Sequence, residues 1–358
     1  MEGELLTMEF FIKLYNSSHS ILDEVYEISD IEYGFTVNGI GKAIINVPYY
    51  AEKTNNRNYR IGNHIEIYRI EDNEEIIEWY GVIYNSIPSG SDLEVECYGY
   101  GRKVQDRMFT QYITQGSITL KGTYDKVIYS MLSNINSYMD TGIIQGKAQS
   151  NTLETERIIN WNDNFYDKLD EFTTDSNYYW DINEKRELNL STSIGSNKTY
   201  YEINDEVNVV DTINISTSGE IYNHVIAKNT YTEDDSDVEV TLISESKDED
   251  SIALYGLHSK ELSVNDIHIQ ETLDEYVKRE LEKCSSPILS LTLEVSNSGT
   301  FNIFNVKKGD IVTLKLSSLK MDTSIKVLDY KIKPTKKTMI VTLGNCYFRE
   351  NSVQKYRF

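Results

Sequence analysis

Over its first hundred residues the chain alternates apolar and polar positions in short runs, broken by clusters of Gly, Asn and Asp. A period of two sets every second side chain on one face, the mark of a half-buried strand. Phe11-Ile12-Lys13-Leu14-Tyr15 and Ala43 to Val47 are clear cases, and the segment reads as a compact antiparallel barrel or sandwich. After Gly101 the period lengthens. Tyr124, Val127, Ile128, Met131, Leu132 and Ile135 fall on one apolar helical face, with Thr123 as N-cap. A second short helix carries Phe165, Leu169 and Phe172 on one face, with Asp163 or Asn164 at its start. Asn177 to Ile182 and Glu187 to Leu190 then form a hairpin across Asn183-Glu184-Lys185. Strands resume at Val207 to Ile215, and Ile221 to Ile226 is expected to pair with Val238 to Leu242. Thr272-x-x-Glu275 reads as a capping box opening a helix that Pro287 ends.

Two stretches at opposite ends repeat one pattern, 42–101 and 287–346. In the first, Ala43, Ile45 and Val47 lead to Ile61-Gly62-Asn63, then to Ile65–Tyr68, Val82–Pro88, and Leu93–Cys97 closing on Gly99. In the second, Leu289, Leu291 and Leu293 lead to Lys308-Gly309-Asp310, then to Ile311–Leu314, Val327–Pro334, and Met339–Leu343 closing on Gly344. Gly309 follows Gly62 by 247 residues, Pro334 follows Pro88 by 246, and Gly344 follows Gly99 by 245. Shared composition does not give such constant spacing over several strands. A chain with two copies of one unit builds a pseudo-sixfold ring from three subunits. The expected fold class is α+β and β-rich, with two similar antiparallel β-barrel domains. The first barrel spans 1–105 and an α+β insert 106–205. The second barrel takes 206–245 and 286–346, around a connecting segment 246–285 with a helix over 272–284, and 347–358 is a C-terminal tail.

Composition agrees with strands: 27 Tyr, abundant Ile and only 4 Pro among 358 residues favour half-buried β structure. Cys97, Cys284 and Cys346 are odd in number and lack a CxxC pair, so neither a disulfide framework nor a zinc site is expected. Met1-Glu2-Gly3-Glu4 is acidic where a secretion signal is basic, and no apolar run approaches the ~18 residues of a spanning helix. A soluble protein made without a cleaved signal is expected. The formal charge of −22 repels phosphate and argues against tightly bound nucleic acid. Two readings of that excess stand side by side: a wall past which nucleic acid slides, and a charge that keeps a large assembly soluble.

Candidate chemistry is sparse. His19, His64, His224, His258 and His268 are scattered, and none sits at ligand spacing with another, so no metal is assigned. Asp234, Asp235 and Asp237 offer oxygens but lack the glycine and closing glutamate of a calcium loop, and read as a solvated hairpin tip. There is no GxSxG, and pairs such as Asp167 with Glu171 or Asp274 with Glu275 read as helix-surface charges. Arg102, Lys103 and Arg107 are too few to hold a duplex in so negative a field, and read as pairing with acids of a neighbouring subunit or covering a domain junction. Tyr178-Tyr179-Trp180 reads as core, with sugar stacking as its alternative. No catalytic, cofactor-binding or metal residue is assigned.

The order of these features resembles the baseplate hub, or tail-tip, proteins of phage tails, in particular the siphophage tail proteins and the N-terminal hub region of tail-associated lysins. The residues that carry the resemblance span most of the chain: Gly99-Tyr100-Gly101-Arg102-Lys103 with Arg107, the helices Thr123 to Ile135 and Asn164 to Thr174, and Tyr178 to Asp181. Ser251 to Gly256, the helix Leu273 to Cys284 and Lys308 to Val312 complete the set. The resemblance implies a homotrimer with tube-type barrels at a virion tail tip, assembled in the host cytoplasm. Its expected partners are the tail tube or distal tail protein, the tape-measure protein and a tip, spike or fibre protein, with contact to the host envelope. DNA transits the channel without specific binding. The family has no catalytic motif in this region, and the chain ends where lysins continue into an enzyme, so a pure hub is expected. The alternatives are a tail-borne cell-wall hydrolase and a receptor- or carbohydrate-binding distal tail protein.

Overall fold

The alternating runs become strands because a pleated backbone turns successive side chains to opposite faces, here core and solvent. In this computed structural model, residues 9–49, 57–109, 116–150, 154–218, 221–232, 239–264, 267–286 and 288–344 are described. The first seven strands are β1 (Glu9–Tyr15), β2 (Ile21–Val25), β3 (Asp30–Thr36), β4 (Lys42–Pro48), β5 (His64–Glu71), β6 (Glu74–Ser89) and β7 (Asp92–Tyr98). A mixed insert follows: α1 (Arg102–Gln105), β8 (Ser117–Thr123), α2 (Tyr124–Tyr138), β9 (Ile144–Ala148), β10 (Glu154–Asn160), α3 (Phe165–Ser176), β11 (Tyr179–Ile182) and β12 (Glu187–Ser191). Next come β13 (Asn197–Asn204), β14 (Val209–Ser218), β15 (His224–Thr232), β16 (Glu239–Lys247), α4 (Glu249–Tyr255), β17 (Ser259–Ser263) and α5 (Gln270–Cys284). The chain then returns through β18 (Ile288–Ser296), β19 (Ile311–Leu316), β20 (Met321–Lys333) and β21 (Thr338–Gly344).

The repeat read from spacing is present in the ladders. In the first unit the strand order is β3-β4-β7-β6-β5-β1, and in the second it is β14-β18-β21-β20-β19-β13. Strand for strand the pairings match. One polarity differs: β1 is antiparallel to β5, whereas β13 is parallel to β19. The two units are not separate bodies. β3 pairs with β20, so the ladders trace one 13-stranded sheet, with no closed barrel among the described residues. A single apolar cluster takes Ile12, Tyr33 and Trp79 from the first unit with Leu293, Val327 and Val341 from the second. The fold class is thus β-rich α+β, with the doubled unit merged through one strand pair.

Two further clusters lie outside that sheet. In the insert, Tyr124, Val127, Ile128, Met131, Leu132 and Ile135 of α2 are buried as their spacing predicts, against Phe165, Leu169 and Phe172 of α3. Residues 224–245, expected with the second barrel, instead pair within a three-stranded sheet, β16-β15-β17, that packs Val225 and Ala227 on Leu273 and Val277 of α5. The expected partnering also shifts, because Val225 faces Ser246 and Asn229 faces Leu242. A longer hairpin buries its alternating positions under α5, which fixes the register. The capping-box expectation fails as well: α5 starts at Gln270, and the Thr272 hydroxyl donates 2.9 Å to the carbonyl of Glu154 in β10. With Ile269 at the N-cap, Thr272 lies inside the first turn, and its hydroxyl serves a tertiary contact instead of a cap. Helix α4 was not anticipated; the Asp248 side chain caps it by accepting from the Ser251 N–H. Pro287, the 347–358 tail and Asp234, Asp235 and Asp237 lie outside the described residues.

Several strands have an edge without a strand partner among the described residues, β2 and β13 of the large sheet among them, and two such edges hold the places that β3 and β20 fill in the repeat. β14 is one end of the sheet. β6 pairs with β5 only through Glu74–Val82, so beyond the bulge at Tyr84 its second half pairs with β7 alone.

Candidate functional site

The two units share a turn built by the same hydrogen bonds. Gly62 and Gly309 sit at φ of 88° and 85°, a left-handed conformation that suits glycine. The Gly62 N–H donates to the Ile83 carbonyl (2.9 Å), and the Ile83 N–H donates back to Asn63 (2.8 Å). In the second unit the Gly309 N–H donates to Val327 (2.7 Å) and the Val327 N–H donates to Asp310 (2.8 Å). One residue later both long strands bulge, between Ile83 and Asn85 and between Val327 and Asp329. Glycine, return bond and bulge therefore recur in step, which loop resemblance alone does not produce. The second turn is the more fixed: buried Asp310 accepts from the Ser196 and Lys307 N–H groups, each at 2.8 Å, and from Lys198 Nζ at 2.9 Å.

Where the units meet, the backbones touch. A Cβ on Gly34 would lie 1.8 Å from the Tyr330 carbonyl oxygen, so the β3–β20 contact needs glycine there. Trp79, fully buried, donates its indole N–H to the Gly34 carbonyl at 3.1 Å. Buried Glu78 accepts from Arg69 of its own unit (2.8 Å) and from Lys307 of the other (2.7 Å). Lys331 pairs with Glu32 at 2.9 Å, and the Thr36 hydroxyl donates to Asp329 at 3.0 Å. The insert is tied to the same junction: Asn38 accepts from the Trp180 N–H (2.9 Å), and Lys308 pairs with Asp181 (2.6 Å).

Folding gathers one titratable cluster that spacing did not reveal. His19 and His64 approach to 3.4 Å between Nδ1 atoms, Tyr15 stacks on His19, and the Tyr100 hydroxyl lies 3.2 Å from His64. Glu66 accepts from the hydroxyls of Tyr15 (2.8 Å) and Tyr68 (2.6 Å). Burial, with Lys103, His19 and Arg186 nearby, pushes the His64 ring down to about 3. Burial also lowers His19, and raises Tyr15 to about 12, with Glu66 adding to the rise. A neutral imidazole here is a core group. No set of three or more His, Cys, Asp or Glu among the described residues is arranged to hold a metal ion.

The other candidates fall as follows. His224 lies 2.9 Å from the Ser259 hydroxyl, His258 lies 3.1 Å from the Tyr255 carbonyl, and His268 stacks on Tyr231. Trp180 is 3% exposed and meets Tyr166 edge to face, so it offers no open ring to a sugar. Arg102 pairs with Asp106 in its own chain (2.8 Å) and covers the Tyr84 ring. The Arg107 guanidinium donates to the Lys103 carbonyl (3.3 Å), while burial and Arg186 lower the Lys103 ammonium. Glu171 pairs with Lys168 (2.9 Å), Asp274 accepts from Gln270 (2.8 Å), and Asp167 and Glu275 are exposed. Cys97 is buried, which raises its thiol above the ordinary range.

Comparison with known proteins supplies context. The family described as prophage endopeptidase tail matches residues 91–347. Prophage tail protein gp18 of Listeria monocytogenes EGD-e has a similar structure, with a TM-score of 0.62 at 14% identity over 97% of each chain. The 43 kDa tail protein of prophage MuSo2 from Shewanella oneidensis gives 0.63 at 10% identity, over 94% of this chain and 98% of that one. A tail protein from Neisseria meningitidis MC58 gives 0.62 at 10%, over 94% and 97%. No curated protein matches the chain. At such identities the structural likeness is one of fold.

Proposed function

This chain belongs to the prophage endopeptidase tail family, and from that premise we propose that it is the structural hub of a phage tail tip, a homotrimer whose doubled β unit presents six similar faces around a hollow axis. The ring would continue a sixfold tail tube on one side and adapt it to a threefold tip on the other. The tail tube or distal tail protein and the tape-measure protein are then the partners above, and a spike or fibre protein the partner below. DNA passes through, repelled by the −22 charge rather than bound. A division into two tube-type units flanking the insert belongs to this proposal, with β13 joining the second unit and residues 224–247 lying outside it.

The repeated turn and bulge carry the reading, since Gly62, Ile83 and Asn63 reappear as Gly309, Val327 and Asp310 with the same hydrogen bonds. Electron microscopy of tails labelled after Phe358 tests it. Label at the distal tip supports a hub; label along the shaft or on side fibres sinks it.

The family's name favours one competing reading, a tail-borne peptidase acting on the cell wall. Incubating the purified chain with peptidoglycan separates the two, because a hub releases no soluble fragments. A carbohydrate-binding reading through Trp180 is disfavoured by its burial.

A further inference from the structure

The doubled unit also specifies what covers two of the open edges, those of β14 and of the second half of β6. β14 is the counterpart of β3: both pair with the strand that opens the repeat, β18 and β4. β6 is the counterpart of β20. Within the chain the edge of β3 is covered by β20, through the pairs Asp329 with Thr36, Tyr330 with Phe35, Lys331 with Gly34 and Ile332 with Tyr33. Carried through the matching ladders, those positions on β20 become Asn85, Ser86, Ile87 and Pro88 on β6, and Tyr33 and Gly34 become Ile215 and Ser216 on β14. Seven pairings separate β14 from β6 along the sheet of one chain. A second copy brings them together.

Three observations point to that occupant. Ile215 lies beside the fully buried Leu291, as Tyr33 lies beside Ala43, yet Tyr33 is 0% exposed and Ile215 is 43%. Among the described residues the core therefore ends without a covering strand at β14. Val210, Ile213 and Ile87 are also exposed. Moreover, Asn85–Ser89 has no charged residue and Val209–Ser218 has only Asp211, in a chain that is 26% charged. Edge strands that stay single are normally guarded by charge, proline or a bulge; β14 has a single charge and no proline, whereas the β6 edge carries Pro88 and the bulge at Tyr84.

We propose that β14 of one copy pairs antiparallel with the second half of β6 of the next, Ser216 opposite Ile87 and Ile215 opposite Pro88. The Val37 N–H donates to the Leu328 carbonyl, and ladder alternation then turns the Ile332 N–H toward β3. Proline at the matching position lacks that donor, so this seam is one hydrogen bond shorter than the intrachain one. The contact is head to tail and either closes into a ring or runs on as a filament. Closure at three copies rests on the hub reading above; the pairing rests on the repeat.

The test joins Ile87→Cys with Ser216→Cys in the full chain and oxidises it with oxidised glutathione. Disulfide-linked multimers are expected from the double variant and not from either single one. They should be at least about tenfold weaker when Asn214→Cys replaces Ser216→Cys, since diagonal neighbours stand farther apart. Ile215→Asp, with an unchanged circular dichroism spectrum, should weaken self-association by about tenfold or more. A trimer by light scattering without cross-linking overturns the pairing and leaves the hub standing. Cross-linked open chains without a trimer keep the pairing and remove the ring. A monomer that never cross-links removes both.

Discussion

At the residue scale, His64 carries the clearest consequence of burial. Its ring is fully buried, and its Nε2 has no hydrogen-bond partner among the described residues. A base whose folded value falls from 6.5 to about 3 takes up a proton in the unfolded chain that the folded protein refuses over that interval. The neutral ring's contribution is therefore complete above pH 6.5 and is lost as pH falls toward 3. Melting temperature followed from pH 7 to pH 4.5 should fall more steeply for the native chain than for His64→Gln; equal slopes would refute the assignment. None of this was legible in the sequence. His19 and His64 are 45 residues apart, and only the pairing of β1 with β5 brings Tyr15 opposite His64. Trp180 is the opposite case, since an aromatic run at strand spacing behind an amphipathic helix already marked it as core.

At the scale of elements, local signals succeeded where the partner was local. Asn164 precedes α3, and its side chain accepts from the N–H groups of Tyr166 and Asp167. Thr123 stands at the matching place before α2 yet makes no side-chain cap bond. Asn164→Ala should therefore cost about 1 kcal/mol, and Thr123→Ala a small fraction of that, in urea unfolding of the same chain. Equal losses would show that the difference in capping is not real. The capping box at Thr272 misled because the helix begins earlier, at Gln270, which puts Thr272 inside the first turn with its hydroxyl donating to the Glu154 carbonyl of β10. Similarly, alternation identified β15 and β16 but paired the wrong stretches of them, and packing under α5 decided the register.

At the scale of the whole molecule, one buried carboxylate spans the duplication. Glu78 lies between Arg69 and Lys307, with its side chain 1% exposed. Removing one partner of a buried charge set leaves the others desolvated and unpaired. Glu78→Gln should destabilise the protein by about 3 kcal/mol in a single cooperative transition, because both units share one core. Two separated transitions would mean the units are held together by less than that core implies.

The sequence by itself determined the strand-rich class, the helical faces of α2 and α3, and the doubling, because these depend on periods of a few residues and on spacing along the chain. Tertiary structure alone decided that the two units merge through β3 and β20, that residues 224–247 join Ser259–Ser263 in a separate sheet, and which edges lack a strand partner among the described residues. Those outcomes depend on which backbone reaches another first. Gly34 settles the merger, since the contact with the Tyr330 carbonyl is closer than any side chain allows, and nothing near Gly34 in the chain announces its partner nearly three hundred residues away.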